Sequence, residues 1–230
     1  MARALQGIVL DFDGVIVNSE PLHLRAYQAV LAEAGVSLSA REYYERYVGL
    51  DDVAVFGALA RDRGLDGGAA HVDALVARKS SRVQALLAER APLFPRAPDR
   101  IREFAVAVPV AIASGALRRE ITQVLEAAGL DHLIRVIVAA GDTARGKPAP
   151  DPYTAAVQRL GDAAGVALDP GRVVAVEDTR AGLESARTAG LRTVAVTTTY
   201  PAEALAEADL VVPDLGTLTL SRLAALAEGP

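Results

Sequence analysis

Short apolar, β-branched runs alternate with helical segments after Pro109, and this pattern limits the fold more than any other feature. The predicted strands, including one near the N-terminus, are Ile8–Asp11, Val110–Ala113, Val136–Ala139, Val173–Val176, Thr193–Val196 and Leu210–Val212. The predicted helices between them are Leu117–Ala128, Pro152–Leu160 and Arg180–Ala189. Continuously apolar strands that alternate with helices form parallel sheets covered on both faces. The sequence therefore predicts an α/β protein with a parallel sheet.

The segment between the first and second strands has a different character, because no convincing strand interrupts it. Its predicted helices are Pro21–Ala34, Ala40–Tyr47, Asp51–Arg63 and Ala69–Arg90. Pro near the start of the first helix and Gly35 after its end are typical helix boundaries. We therefore predict a core domain of residues 1–17 and 91–230 and an all-helical domain of residues 18–90 inserted into it. Pro92–Pro95 is the predicted return hinge.

Composition excludes several classes of protein. The net charge is −5 and no basic tract is present, which argues against binding to nucleic acid or to a membrane surface. The absence of cysteine excludes disulfides, thiolate metal sites and cysteine nucleophiles. The N-terminal apolar stretch is too short and too acidic for a signal peptide, and no run reaches the length of a membrane span. We expect a cytoplasmic monomer with a small-molecule partner.

Polar and charged side chains follow four of the predicted strands. Ligands of open parallel sheets bind at the carboxyl ends of the strands, so these residues are expected to share one edge. Asp11 and Asp13 point to the same side of their strand and would repel each other without a cation or a shared proton between them. In strand order, the residues are Asp11 and Asp13, Ser114 and Gly115, Lys147, and Glu177 and Asp178.

Each of these residues has an ordinary structural interpretation when it is taken alone. Two aspartates before a glycine occur in hairpin turns, and a Ser-Gly pair often caps a helix. A loop lysine is usually solvated, and acidic residues favour the start of a helix. The joint placement of all of them at strand ends favours a site for a phosphate group and Mg²⁺.

The expected chemistry at this edge is phosphoryl transfer. A carboxylate such as Asp11 can attack phosphorus and form an aspartyl-phosphate, which splits a difficult hydrolysis into two steps. Asp11 and Asp178, with the backbone carbonyl of Asp13, suit Mg²⁺, although Mn²⁺ would fit the same oxygen ligands. The side chain of Asp13 can then protonate the leaving oxygen and later activate water.

The remaining residues of this edge are expected to bind the phosphate or support its ligands. The Ser114 hydroxyl and the Gly115 amide, at a helix start, can hold phosphoryl oxygens, and Lys147 can balance the remaining charge. Adjacent strand residues face opposite ways, so Glu177 and Asp178 should not serve equally. We expect Asp178 to contact the metal directly and Glu177 to support the neighbouring groups.

These motifs, in this order, resemble the four motifs of the haloacid dehalogenase superfamily. The helical insertion resembles the C1 cap of subfamily I, in the branch of β-phosphoglucomutase-like enzymes and sugar phosphatases. The resemblance implies a Rossmannoid three-layer core, a mobile cap, Mg²⁺ dependence and Asp11 as the nucleophile. Asp13 speaks against haloacid dehalogenases proper and phosphonatases, which do not use a second aspartate there as the acid and base.

Within this branch the sequence favours a phosphatase over a mutase. β-Phosphoglucomutases carry a lysine and an arginine at the positions of Val48 and Asp52, and Asp51 and Asp52 are expected to repel a second phosphate. We therefore expect hydrolysis of a sugar phosphate or a short phosphorylated acid. A phosphohexomutase with a rearranged clamp is the nearest alternative. A non-catalytic phosphate-binding relative is an alternative of another class.

Three further residues are candidates for substrate contact. By resemblance, Lys79 matches a substrate-side lysine of the mutases, and His23 matches a residue that couples binding to cap closure. Arg118, just after Ser114, can reach a distal anion of the substrate. The alternatives are an exposed helix lysine, a packing or surface histidine, and a solvated helix charge.

Overall fold

The computed structural model of the chain describes residues 5–48, 50, 52–64, 68–89 and 92–228. The backbone contacts divide the chain into two compact units. One unit consists of residues 1–18 and 92–230, and the other of residues 19–91. The predicted ends of two helices, at Asp51 and Arg90, lie outside the described residues.

Six strands in the described part of the first unit form one parallel sheet in the order β3-β2-β1-β4-β5-β6. They are β1 (Gly7–Leu10), β2 (Val110–Ala113), β3 (Ile134–Val138), β4 (Val173–Glu177), β5 (Arg192–Val196) and β6 (Leu210–Val212). Leu10 lies in register with Ile112 on one side and Val176 on the other. The strand order therefore reverses at β1, and the ends of β1, β2 and β4 meet at this point.

Helices pack against this sheet. They are α5 (Ala97–Ala107), α6 (Arg118–Ala128), α7 (Asp151–Ala164), α8 (Arg180–Thr188) and α9 (Leu220–Glu228). Tyr153 and Leu160 of α7 are buried against Val9 and Ala175 of the central strands. This arrangement confirms the predicted α/β fold class with its Rossmannoid parallel sheet.

Several boundaries differ from the prediction. The sequence analysis placed no helix at α5 or α9, yet their apolar stripes bury Ile101, Phe104 and Leu223. β3 begins at Ile134, two residues before the predicted start, and α7 continues to Ala164 instead of ending at Leu160. Gly165 follows the last residue of α7, and its φ of +69° suits a helix C-terminus.

The second unit contains α1 (Glu20–Ala32), α2 (Ala40–Arg46), α3 (Asp52–Arg63) and α4 (Ala69–Glu89). Its core is aromatic and aliphatic, with Tyr27 packed edge-on against Phe56 at 5.2 Å between ring centres. In the described part of the chain, none of the helices combines the length and apolar character that a membrane crossing needs.

The two chain segments that border the helical insertion pair with each other. Val17 and Leu93 form an antiparallel bridge. The Asn18 amide donates to the Pro92 carbonyl at 2.8 Å, and the Phe94 amide donates to the Ile16 carbonyl at 3.0 Å. The departing and returning segments therefore run side by side.

Candidate active site

Three carboxylates converge where β1 and β4 end. Asp11 follows β1, and its amide donates to the Val176 carbonyl at 2.9 Å. Glu177 is the last residue of β4, and Asp178 follows it. Oxygens of Asp11, Glu177 and Asp178 lie within 4.8 Å of one another, and all three residues are buried. The sheet order thus brings together residues that are 167 positions apart in the sequence.

Lys147 lies between two of these carboxylates. Its Nζ donates to Asp11 Oδ1 at 2.7 Å and also to Glu177 Oε1. The same nitrogen lies 5.2 Å from the centre of the Tyr153 ring, within the range of a cation–π contact. Burial alone would lower the pKa of Lys147, but the charges of Asp11 and Glu177 outweigh it and raise that pKa. The lysine is therefore a fixed positive charge beside Asp11.

The hydrogen bonds to Glu177 occupy both of its carboxylate oxygens. Oε1 accepts from Lys147 and from the Tyr153 hydroxyl, the latter at 2.7 Å. Oε2 accepts from the Asp178 amide at 3.1 Å and from the Thr179 hydroxyl at 3.2 Å. A carboxylate with this many donors is held in place, and its oxygens are already used. The role of Glu177 in supporting the neighbouring groups stays a prediction.

Asp178 differs from Glu177 in leaving one oxygen unsatisfied. Its Oδ2 accepts a hydrogen bond from the Thr199 hydroxyl, whereas Oδ1 is buried without a partner among the described residues. A buried carboxylate oxygen without a donor is costly unless a cation or proton satisfies it. Oxygen donors of this kind are those that Mg²⁺ prefers. The residues present therefore fit a divalent cation.

The shifted pKa values of the buried carboxyl groups also favour a bound cation. Burial raises the pKa of Asp11 from 3.8 to about 7, although Lys147 opposes the change. Burial, followed by the charges of Asp11 and Glu177, raises the pKa of Asp178 well above its ordinary value. Among the described residues, Lys147 pairs with two of the three clustered carboxylates, so the site favours the binding of additional positive charge.

Asp13 begins the tight turn that follows β1. It is half-buried and forms a bridge with Val17, and the Gly14 amide donates to the Val17 carbonyl at 2.8 Å. Gly14 has a φ of +73°, and a Cβ there would lie only 1.8 Å from Asp178 Oδ2. Glycine is therefore required at this turn for both its backbone conformation and its contact with Asp178.

Ser114 and Gly115 lie at the end of β2, as predicted. The Ser114 amide donates to the Val138 carbonyl at 2.9 Å, and its Oγ accepts from the Ala116 amide at 3.1 Å. A Cβ on Gly115 would meet no atom within 4 Å. The hydroxyl thus stabilises a local turn, while the backbone beside it is open. Phosphate binding by this pair stays a prediction.

Arg118 binds the end of β3 and the loop that follows it. Its guanidinium donates to the Ile137 carbonyl at 2.8 Å and to the Asp142 carboxylate. The Ala139 amide also donates to Asp142, at 3.0 Å. That backbone bond, with Arg118, lowers the pKa of Asp142 in spite of some burial. Arg118 therefore anchors the start of the segment that leads to Lys147, and a substrate contact for it stays a prediction.

His23 and Lys79 meet inside the helical unit. Lys79 is only 2% exposed, so the alternative of an exposed helix lysine is wrong. Its Nζ lies 2.6 Å from Asp52 Oδ1 and 2.7 Å from His23 Nδ1. Nδ1 must accept this hydrogen bond, which places the His23 proton on Nε2. Burial, with the Lys79 charge, lowers the pKa of His23 to about 4.

This cluster changes the expectation for Asp52. The sequence analysis treated Asp52 as an uncompensated anion that would repel a second phosphate. In the structure it accepts hydrogen bonds from Lys79 and from the Tyr27 hydroxyl, at 2.6 Å each. The positive and negative charges are therefore paired inside the unit. Asp51, the other residue of that argument, lies outside the described residues.

Sequence reasoning missed four residues that contact the predicted site. Tyr153 resembles an ordinary buried helix residue, and Gly182 resembles an ordinary glycine near a helix start. Thr198 and Thr199 follow β5, so the rule used for the other strand ends would have found them. The Thr198 hydroxyl donates to the Gly14 carbonyl at 2.6 Å, and Thr199 donates to Asp178.

A family model for haloacid dehalogenase-like hydrolases matches residues 5–190. The chain belongs to this family, as its motifs predicted. It is 33% identical over 235 residues to protein CbbY of Cupriavidus necator, covering 92% of this chain and 86% of that protein. It is 26% identical over 196 residues to the fructose-1-phosphate phosphatase YqaB of Escherichia coli, covering 85% and 98% of the two chains.

Solved structures show the same similarity. The crystal structure of CbbY from Rhodobacter sphaeroides in complex with phosphate superposes with a TM-score of 0.76 at 28% identity. The match covers 93% of this chain and 96% of that one. The match to this hydrolase family and to relatives named as phosphatases confirms the predicted enzyme class, a phosphoric monoester hydrolase.

Proposed function

We propose that this protein is a Mg²⁺-dependent phosphatase that hydrolyses a small organic phosphomonoester through an aspartyl-phosphate on Asp11. The observation that carries the proposal is the position of Lys147 Nζ, 2.7 Å from Asp11, in a carboxylate cluster where Asp178 Oδ1 has no partner among the described residues. The proposal is supported by the proximity of the Asp11 carboxylate, the Lys147 ammonium group and the Asp178 carboxylate at one sheet edge.

Two displacements at phosphorus complete the reaction. In the first, a carboxylate oxygen of Asp11 forms a bond to phosphorus while the bond to the leaving oxygen breaks, and Asp13 gives that oxygen a proton. In the second, Asp13 removes a proton from water, the water oxygen attacks the same phosphorus, and Asp11 is released with inorganic phosphate. Each cycle thus returns both aspartates to their starting states.

The other residues stabilise charge during these steps. Lys147, held by Glu177, donates to the phosphoryl group and to Asp11 as negative charge redistributes. The Ser114 hydroxyl and the Gly115 amide hold phosphoryl oxygens. Asp11, Asp178 and the Asp13 carbonyl would hold Mg²⁺, which supplies electrostatic stabilisation of the phosphoryl oxygens when bound.

A phosphatase is favoured over a mutase by the helical unit. A mutase must retain a bisphosphate, which calls for uncompensated positive charge. Lys79 matches a substrate-side lysine of the mutases by resemblance. Its charge is paired with Asp52, and its side chain is buried. The role of residues 18–90 as a cap stays a prediction. Contact of His23 and Lys79 with the substrate also stays a prediction.

A sugar phosphate is the proposed substrate class. One relative is named as a fructose-1-phosphate phosphatase, and a point mutant of CbbY from Rhodobacter sphaeroides has been crystallised with xylulose-(1,5)bisphosphate. Both compounds join a phosphate ester to a short hydroxylated carbon chain. A short phosphorylated acid is the second choice.

The test is phosphate release from a panel of phosphorylated metabolites that includes those two compounds, with and without Mg²⁺. Asp11→Asn keeps the shape of the side chain but removes the nucleophile, so we expect release to vanish in this variant. Asp162→Asn, at an exposed position, is the matched control and should retain full activity. Conversion of β-glucose 1-phosphate only when a bisphosphate is added would establish the mutase. Absence of both reactions would favour a phosphate-binding protein.

A further inference from the structure

The loop after β5 contains three consecutive threonines, and two of them contact the candidate metal site. The Thr199 hydroxyl donates to Asp178 Oδ2, and the Thr198 hydroxyl donates to the Gly14 carbonyl at 2.6 Å. The Thr197 hydroxyl lies instead 3.5 Å from the Pro213 carbonyl. Neighbouring residues of one type therefore differ in what they contact.

These contacts determine which oxygen of Asp178 is available. Thr199 occupies Oδ2, so Oδ1 is the oxygen without a partner among the residues that the structure describes. Asp178 is 3% exposed, and a Cβ on Gly14 would lie 1.8 Å from Oδ2. The carboxylate is thus bounded by Thr199 on one side and by the Gly14 backbone on the other.

Thr198 acts on that backbone. Gly14 follows directly after Asp13, whose carbonyl is a proposed metal ligand. A hydrogen bond to the Gly14 carbonyl restrains the turn that presents the Asp13 carbonyl. The two hydroxyls therefore restrain two different proposed ligands from the same loop.

We propose that Thr198 and Thr199 are positioning residues for the divalent cation, Thr199 through Asp178 and Thr198 through the turn at Asp13 and Gly14. The inference rests on the metal site of the proposed function. It adds to that site two residues of the loop after β5. Groups that orient metal ligands contribute about 10- to 100-fold to metal affinity in characterised sites.

The Thr199 hydroxyl can affect Mg²⁺ binding in two ways, by orienting the Asp178 carboxylate or by reducing its negative charge, and the two predict opposite changes in the Kd. A hydroxyl that donates to a carboxylate reduces its negative charge, so its removal would by itself strengthen cation binding. Loss of the orientation of the carboxylate would instead weaken cation binding. If positioning dominates, removing the Thr199 hydroxyl must weaken the binding of Mg²⁺.

The test is calorimetric titration of Mg²⁺ into the full-length protein after treatment with a chelator. Thr199→Val should raise the Kd for Mg²⁺ about tenfold or more, and Thr199→Ser, which keeps a hydroxyl, should largely restore it. Thr198→Val should raise the Kd to a smaller extent. Thr197→Val is the matched control and should leave the Kd unchanged.

Thr199→Ala carries the same expectation and serves in place of Thr199→Val if the latter does not fold. An unchanged or lower Kd in the Thr199 variants overturns the inference. If wild-type protein releases phosphate with Mg²⁺ while the Thr199 variants bind Mg²⁺ normally, only the positioning role fails. If wild-type protein does not bind Mg²⁺, the inference fails together with the proposed metal site.

Discussion

Gly182 and Glu177 are packed so closely that a Cβ on Gly182 would lie 1.9 Å from the carboxylate carbon of Glu177. Glu177 is fully buried and is held by Lys147 and Tyr153, so it cannot move aside without losing those contacts. The glycine therefore leaves room for the carboxylate that orients the lysine beside Asp11.

Gly182→Ala should destabilise the protein and abolish most of its activity. Alanine favours a helix over glycine by about 1 kcal/mol, but the clash should cost about 1–3 kcal/mol or more and displace Lys147. Urea unfolding and phosphate release measure the two effects. Gly57→Ala, in α3, is the matched control, because the nearest atom to its Cβ is 3.7 Å away. That variant should be as stable as wild type or more so. A Gly182→Ala protein with wild-type stability and activity would contradict this interpretation.

Tyr153→Phe should lower kcat by a few fold and stability by about 1–2 kcal/mol. The change removes one buried donor to Glu177 and keeps the ring beneath Lys147. The Kd for Mg²⁺ should change little, since Glu177 is not a proposed ligand. Tyr44→Phe, at a residue that is 49% exposed, should alter none of these quantities. An unchanged kcat in Tyr153→Phe would mean that the hydroxyl does not help to position Lys147.

Asp52→Asn should destabilise the protein by about 2–4 kcal/mol, because it leaves the buried ammonium of Lys79 without its anionic partner. Adding Lys79→Met should recover much of this loss. The exposed pair Arg41–Glu45 provides the comparison, and Glu45→Gln should change the free energy of unfolding by no more than about 0.5 kcal/mol. Additive losses in the Asp52 and Lys79 variants would argue against a coupled pair.

His23 should contribute a loss of stability as the pH drops from about 6.5 to about 4, while the raised pKa of Asp11 acts in the opposite direction. The pKa of His23 is lowered to about 4 in the folded protein, from 6.5, so the unfolded chain binds more protons between these values. This shift corresponds to a loss of up to about 3 kcal/mol. The free energies of unfolding of wild type and His23→Gln, measured with urea, should therefore differ by up to about 3 kcal/mol more in favour of the variant at pH 4 than at pH 7. His132→Gln, at an exposed histidine, should behave as wild type does.

The strand-end residues could be predicted from the sequence because position along a parallel strand determines the edge at which a residue lies. The order of the strands could not, since the apolar runs are similar and nothing local specifies their neighbours. It is this order that places β1 between β2 and β4 and brings Asp11 to Lys147 and Glu177. α5 and α9 are as long as α6 and α8, but they were missed because α5 precedes the alternating segment after Pro109 and α9 follows its last strand.

The contacts of Lys79 show why charge pairing was harder to predict. Lys79 lies 27 residues from Asp52 and 56 from His23 in the sequence, and only the packing of three helices brings them together. Tyr153 was missed for a related reason, because its ring packs in the core while its hydroxyl reaches a carboxylate 24 residues away. Thr199 could have been predicted from the sequence, because it lies in the loop after a predicted strand and residues that follow parallel strands are expected at the ligand-binding edge of the sheet.

The central claim is that Asp11 carries the phosphoryl group during turnover. The most direct measurement is mass spectrometry of peptides from enzyme quenched in acid while it hydrolyses the best substrate of the panel. We predict a phosphoryl group on the peptide that contains Asp11 in wild type, and none in Asp11→Asn. Phosphate release by wild type without that modification, or with the phosphoryl group on another residue, would contradict the proposed mechanism.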